Sequence, residues 1–112
     1  MATQIDRLLL QDMIARNENL VLIDVLPETA YVRGHIPGAI NIPSEEILAR
    51  APTLLTDLDA EIIVYCKNGP CKRSQRAAQR LETLGFTRVY DYHLGRDDWS
   101  SSGLALHSAE RR

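Results

Sequence analysis

A chain of 112 residues, 45% apolar and 25% charged, has the size and make-up of one globular domain, which excludes a disordered or collagen-like polymer. Its formal net charge of -2 carries no excess of cations, so neither a nucleic acid nor a membrane surface is expected as partner. No apolar run approaches the roughly 20 residues that span a bilayer, and the opening MATQIDRLLLQD meets charge too early for a signal peptide, so the expected location is cytoplasmic.

Leu8, Leu9, Met13 and Ile14 recur at helical spacing and predict a first helix. LVLIDV, Leu20 to Val25, is a short continuous apolar run, the pattern of a strand covered on both faces. Pro27, Pro37, Pro43 and Pro52 then mark strand ends and helix starts, where a missing N–H is tolerated. In GHIPGAINIP the spacing of Gly34, Pro37 and Gly38 describes a tight turn feeding a short strand, Ala39 to Ile42. Ile47, Leu48, Leu54 and Leu55 predict a second helix. EIIVYC, Glu61 to Cys66, reads as another covered strand. An amphipathic helix follows from Ser74, with Ala77, Ala78, Leu81 and Leu84 on its apolar face and Gly85 as its stop. RVYDYHL, Arg88 to Leu94, supplies the third covered strand. Tyr31 and Trp99 read as core or lid packing. After Trp99 periodicity is lost, predicting a tail that frays beyond about residue 103. Strands alternating with helices imply a single α/β domain, with a central parallel sheet flanked by helices on both faces.

Cys66 stands at the turn from strand to helix, and five cations, Lys67, Lys72, Arg73, Arg76 and Arg80, follow it before the first acid, Glu82. In an open parallel sheet, ligands bind beyond the carboxyl ends of the strands, where helix N-termini attract anions. Backbone amides and the helix dipole would lower a thiol there from about 8.5 into or below the neutral range, making Cys66 a nucleophile. The cations break local rules. Lys72, Arg73 and Arg76 crowd the positive end of the helix dipole, and Arg76 and Arg80 form a like-charged i,i+4 pair. A bound anion or persulfide would offset that repulsion; the alternative is a solvated basic face beside a buried cysteine.

Three pieces carry a resemblance over nearly the whole chain: LIDVLPETAYVRGHIPGAINIP; IVYC followed by S-x-x-A-A-x-x-L-x-x-L-G-F; and VYDYHLGRDDW. In that order they resemble the rhodanese-like family. The resemblance implies a central parallel sheet flanked by helices and a cysteine that accepts a sulfane sulfur as a persulfide and passes it to a thiophilic acceptor. On that mapping Cys66 is the nucleophile, and Lys67, Asn68, Gly69, Pro70, Cys71, Lys72 and Arg73, with Ser74 behind them, form the loop around the transferred sulfur. The implied donor is thiosulfate or a low-molecular-weight persulfide, and the acceptor a protein or small thiol. No cofactor is needed.

The family's common loop, C-x-x-G-x-R-S, is here C-K-N-G-P-C-K-R-S, two residues longer and similar to a subgroup carrying C-x4-C-x2-S. The added length implies a wider pocket. Phosphatases and arsenate reductases of the same fold carry C-x5-R, where this chain has Lys72, with Arg73 one position later. The family's D-V-R and G-G-x-x-x-W correspond here to Asp24-Val25-Leu26 and Leu94-Gly95, departures that touch an accessory cation and one close backbone approach.

Asp24, Arg76 and His93 are supporting candidates. Asp24 ends a strand on the edge that carries Cys66, where it hydrogen-bonds the loop, orients a cation or caps a turn. His93 ends a strand near the site and either tunes the pocket or faces solvent. His35 in GHIPG reads as a hydrogen-bonded structural histidine rather than an acid or base. Cys66, Cys71, His35 and His93 lack the close paired spacing of a zinc site, so no metal is expected. The first functional reading is a sulfurtransferase working through a Cys66 persulfide. Beside it stand a cysteine-based phosphatase or arsenate reductase, from the long cationic loop, and a sulfur-carrier or redox-sensing module in which Cys66 and Cys71 pair.

Overall fold

The computed structural model describes residues 2–109. Five strands, β1 (Thr3–Gln4), β2 (Val21–Asp24), β3 (Ile40–Asn41), β4 (Glu61–Tyr65) and β5 (Arg88–Tyr92), form one parallel sheet in the order β1-β5-β4-β2-β3. Helices α1 (Arg7–Arg16), α2 (Glu28–Arg33), α3 (Ile47–Leu54), α4 (Arg73–Thr83) and α5 (Gly95–Ser101) connect or follow them, with a 3₁₀ turn at Ser44–Glu46.

The centre of the sheet follows from the continuous apolar run. Ile62, Ile63, Val64, Tyr65 and Cys66 are each 0% exposed, as a strand covered on both faces demands. Side-chain alternation divides them between two core clusters. Ile62 and Val64 pack with Ile47, Ala51, Ala77, Ala78 and Leu81 from α3 and α4. Ile63 and Tyr65 pack on the other face with Leu10, Met13 and Trp99 from α1 and α5. Helix α4 ends as expected: Gly85 takes φ 101°, and the Phe86 N–H returns to the Leu81 carbonyl at 3.2 Å.

Three local expectations are corrected. The buried residues of α1 are Leu10 and Met13, while Leu8 is 69% exposed; those of α3 are Ile47 and Ala51, while Leu48 and Leu54 face solvent. Pro52 lies inside α3, which begins at Ile47 after the 3₁₀ turn, rather than at a helix start. The tail expected to fray is pinned as far as Ala109. Trp99 Nε1 donates to the Ala105 carbonyl (3.0 Å), His35 and His107 exchange backbone hydrogen bonds (both 2.9 Å), and the Ala109 N–H meets Val32 O (2.8 Å). The rest of that expectation, residues 110–112, lies outside the described residues. Among the described residues no helix is long and apolar enough to cross a membrane.

Candidate active site

Cys66 directly follows β4 at the carboxyl edge of the sheet, and a loop of residues 67–72 leads from it into α4. The first turn of α5 clamps the start of that loop: the Arg96 N–H donates to Cys66 O and the Asp97 N–H to Lys67 O, both at 2.9 Å. Only glycine permits this approach at position 95. Its φ is +71°, and a Cβ there would stand 2.5 Å from Cys66 O and 2.8 Å from the Lys67 carbonyl carbon. The close backbone contact of the doubled glycine is thus kept by Gly95 alone. Leu94, in place of the first glycine, leans over the loop, its Cδ2 3.8 Å from where a Cβ of Gly69 would sit.

Inside the loop the Cys71 N–H donates to Asn68 O (3.1 Å) and Asn68 Oδ1 (3.2 Å), closing a turn with Gly69 and Pro70 at its middle. The turn folds Cys71 back onto Cys66. Cys66 Sγ lies 3.6 Å from Cys71 O and 3.5 Å from the Ser74 hydroxyl. The Ser74 N–H is directed at Cys66, and those of Arg73 and Lys67 at the Cys71 sulfur. Both cysteines are free. The longer loop leaves Cys66 0% exposed, with Cys71 partly buried and packed against the same core cluster.

Burial pushes the Cys66 thiol up to about 11, and the bond with Cys71 acts the same way, against the opposing Ser74 hydroxyl and N–H. The expected lowering of Cys66 is therefore overturned. Desolvation of the thiolate outweighs the few donors at the helix start. For Cys71, burial again pushes upward, but the hydrogen bond from Cys66, the N–H groups of Arg73 and Lys67 and the Arg73 charge together bring it below its ordinary value.

The cations that were expected to hold an anion are largely engaged elsewhere. Arg73 is ion-paired with Glu45, and Arg80 donates to Ser44 O (2.8 Å) and Ser44 Oγ (2.9 Å). Lys67 lies 4.0 Å from Asp97. Glu45 thus offsets the charge of Arg73, and Ser44 engages Arg80. Lys72 and Arg76 are exposed beside the loop, and no ion pair among the described residues engages them.

Asp24 is buried and does not touch the loop. Its Oδ1 accepts from the Leu26 N–H and its Oδ2 from the Tyr65 hydroxyl, both at 2.9 Å, so the turn-cap alternative describes it. The same Tyr65 hydroxyl accepts from the Ile36 N–H at 3.0 Å. His35 stacks on Tyr31 with ring centroids 3.9 Å apart, the structural role expected of it. His93 is half-buried, with an unpartnered buried Nδ1, and it faces a residue the sequence reading passed over. That residue is Asp91, 4% exposed, whose carboxyl is pushed up by burial while the Ser74 hydroxyl and His93 oppose. Asp91 Oδ1 is buried with no hydrogen-bond partner among the described residues. An acid inside a continuous apolar strand was the signal available for it. Arg96 was also missed; its guanidinium donates to Ala30 O (3.2 Å) and Gly34 O (3.3 Å), tying α5 to the end of α2. Among the described residues no group of three or more His, Cys, Asp or Glu is placed to hold a metal ion.

Comparison with known proteins agrees with this geometry. The chain is 34% identical over 92 residues to the thiosulfate sulfurtransferase GlpE of Pseudomonas entomophila, covering 82% of this chain and 81% of that one. It is 29% identical over 110 residues to a sulfurtransferase of Allochromatium vinosum, covering 98% and 99%. The human single-domain sulfurtransferase TSTD1 superposes with a TM-score of 0.76 at 26% identity, covering 90% of this chain and 97% of that one. Two further curated relatives are longer, and the chain spans 42% and 43% of their lengths. A family profile described as the rhodanese-like domain matches residues 7–102, and the chain belongs to the rhodanese-like family.

Proposed function

We propose that the chain is a rhodanese-type sulfurtransferase in which Cys66 takes a sulfane sulfur from thiosulfate or a low-molecular-weight persulfide and passes it to a protein or small thiol. One observation carries this reading: Cys66 sits at the carboxyl end of the central strand with the Ser74 hydroxyl at 3.5 Å and the Ser74 N–H directed at it. The thiolate attacks the outer sulfur of thiosulfate. A bond from Cys66 Sγ to that sulfur forms as its bond to the sulfonate breaks, and sulfite leaves with the electron pair. The acceptor then attacks the terminal sulfur, and the Cys66 thiolate departs.

Cys66 is held as a thiol by burial, and the Ser74 hydroxyl and N–H favour its thiolate. Because Cys66 is 0% exposed, a donor reaches it only after the residues packed around it rearrange. The names of the relatives from Pseudomonas entomophila and Allochromatium vinosum support sulfur transfer. Within the family we assign the chain to the subgroup whose loop reads C-x4-C-x2-S. Two free thiols suit a reducing compartment, and we assign it to the cytoplasm.

Phosphate or arsenate chemistry is the weaker alternative. It asks for a planar, bidentate guanidinium after five intervening residues, whereas Lys72 is an exposed ammonium and Arg73 is held by Glu45. Thiosulfate treatment followed by intact-mass measurement is the test. The expected result is a gain of one sulfur on Cys66 that cyanide removes as thiocyanate. Full turnover by Cys66→Ser would overturn the assignment, and aryl phosphates hydrolysed faster than thiosulfate is consumed would replace it with the phosphatase.

A further inference from the structure

We infer that Cys71 resolves a loaded Cys66: its sulfur attacks Cys66 Sγ, expels the sulfane sulfur as hydrosulfide and closes a Cys66–Cys71 disulfide. The inference rests on the sulfurtransferase reading and adds to it a second product, sulfide, made without an external acceptor.

The geometry of the loop carries it. The Asn68–Cys71 turn brings Cys66 Sγ to 3.6 Å from the Cys71 carbonyl oxygen, two bonds from the Cys71 Cα, and sets the two side chains next to each other. A disulfide asks for Cα atoms about 4.4–6.8 Å apart, a span this folded turn brings within reach. Cys71 is also supplied as a nucleophile should be. The N–H groups of Arg73 and Lys67 are directed at its sulfur and the Arg73 charge lies near it, so it holds its thiolate more readily than a free cysteine. A small side chain that merely lines a pocket needs none of these donors.

Leaving-group chemistry selects which sulfur is attacked. Attack on the outer sulfur would carry it to Cys71 and release the Cys66 thiolate, the base of a thiol held up at about 11 by burial. Attack on Cys66 Sγ instead releases hydrosulfide, the base of a much stronger acid, and the weaker base leaves faster. In the balanced step the persulfide anion of Cys66 and the Cys71 thiol give the disulfide and HS⁻. The Cys71 Sγ–Cys66 Sγ bond forms, the Cys66 Sγ–sulfane bond breaks, and the proton of Cys71 leaves on the sulfide. The sulfane sulfur is reduced and the two cysteines are oxidised, so no external oxidant enters. A small dithiol then restores both thiols by exchange.

The experiment loads reduced protein with thiosulfate, removes the donor without adding thiol, and follows intact mass together with sulfide collected in a colorimetric trap. In the wild type the added sulfur is expected to disappear, with one equivalent of sulfide released and a final mass two hydrogens below the reduced protein. A peptide map should join Cys66 to Cys71. Cys71→Ser is expected to take up sulfur and to hold it at least about tenfold longer, since an adjacent thiol outcompetes any dissolved one. Equal persulfide lifetimes in the two proteins, or sulfide release that leaves both cysteines open to alkylation, would overturn the inference alone. Failure of both proteins to gain sulfur would overturn the sulfurtransferase reading and this inference with it. If Cys71→Ser does not fold, the wild-type peptide map decides: a Cys66–Cys71 link upholds the step, and its absence after sulfide release overturns it.

Discussion

Replacing Gly95 by alanine tests whether the clamp between α5 and the Cys66 loop holds the site. The residue sits at φ +71°, where a side chain costs about 1–2 kcal/mol. The added Cβ would also stand 2.5 Å from Cys66 O, a backbone atom that cannot swing aside, so α5 and the loop have to part. That loosens the two 2.9 Å hydrogen bonds from Arg96 and Asp97, each worth about 1 kcal/mol net. The expected loss is about 2–4 kcal/mol, or a fall in Tm on the order of 8–16 °C for a domain of this size. Urea unfolding measures the first quantity and a thermal scan the second. Gly85→Ala is the control. Its φ is +101°, but its Cβ would meet only Leu58 methyl carbons at 3.7 and 3.8 Å, so about 1–2 kcal/mol is expected. Thiosulfate uptake should fall in Gly95→Ala and survive in Gly85→Ala. Equal losses of stability in the two variants, or unchanged uptake in Gly95→Ala, would refute the clamp.

Tyr65→Phe should lower stability by about 2–4 kcal/mol in urea unfolding, because it leaves both Asp24 Oδ2 and the Ile36 N–H buried without their partner; a loss under about 0.5 kcal/mol would show that water replaces the hydroxyl. The rate of thiosulfate uptake should rise with pH, since Cys66 reacts as a thiolate and its thiol is held up at about 11. Ser74→Ala, which removes an opposing hydroxyl, should move that rise to higher pH, and Cys71→Ala should reduce two coupled ionisations to one and move it lower; unmoved profiles would separate these residues from the nucleophile. Removing Lys72 and Arg76 together should slow uptake at low ionic strength and flatten its salt dependence, with stability unchanged or raised by relief of the Arg76–Arg80 repulsion. An unaltered salt dependence would mean that these cations do not steer the donor.

What could be read from the chain follows from which interactions are local. The strand ending at Cys66 was legible because a run buried on both faces needs no partner to identify it, and Gly85 was legible because a helix stop is set by its own backbone. Helical faces were less so. In α1, Leu8, Leu9, Leu10, Met13 and Ile14 offer more apolar positions than one face holds, and the sheet selects Leu10 and Met13. Strand β1 has two exposed residues and α2 buries none, so neither announces itself by periodicity. The position of the nucleophile was readable but its ionisation was not. Residues at 44 and 45, 36 and 28 positions away, draw Arg80 and Arg73 off the loop, and no spacing near Cys66 reports that. The pinned tail is the same kind of case, since His107 finds its partner at His35.

The longer loop and the raised thiol have one physical origin. Two added residues place a second sulfur where an open pocket was expected, and that sulfur takes the loop N–H groups of Arg73 and Lys67 that would otherwise face an incoming anion. With Arg73 ion-paired to Glu45 and its N–H donors partly occupied, the loop has fewer groups left for an incoming anion. Cys66 consequently rests as a buried thiol, and the desolvation of its thiolate is what the proposed sulfur transfer has to relieve. On the proposed reading, access and activation are coupled: a rearrangement that admitted a sulfur donor would also remove the desolvation that holds the proton on Cys66.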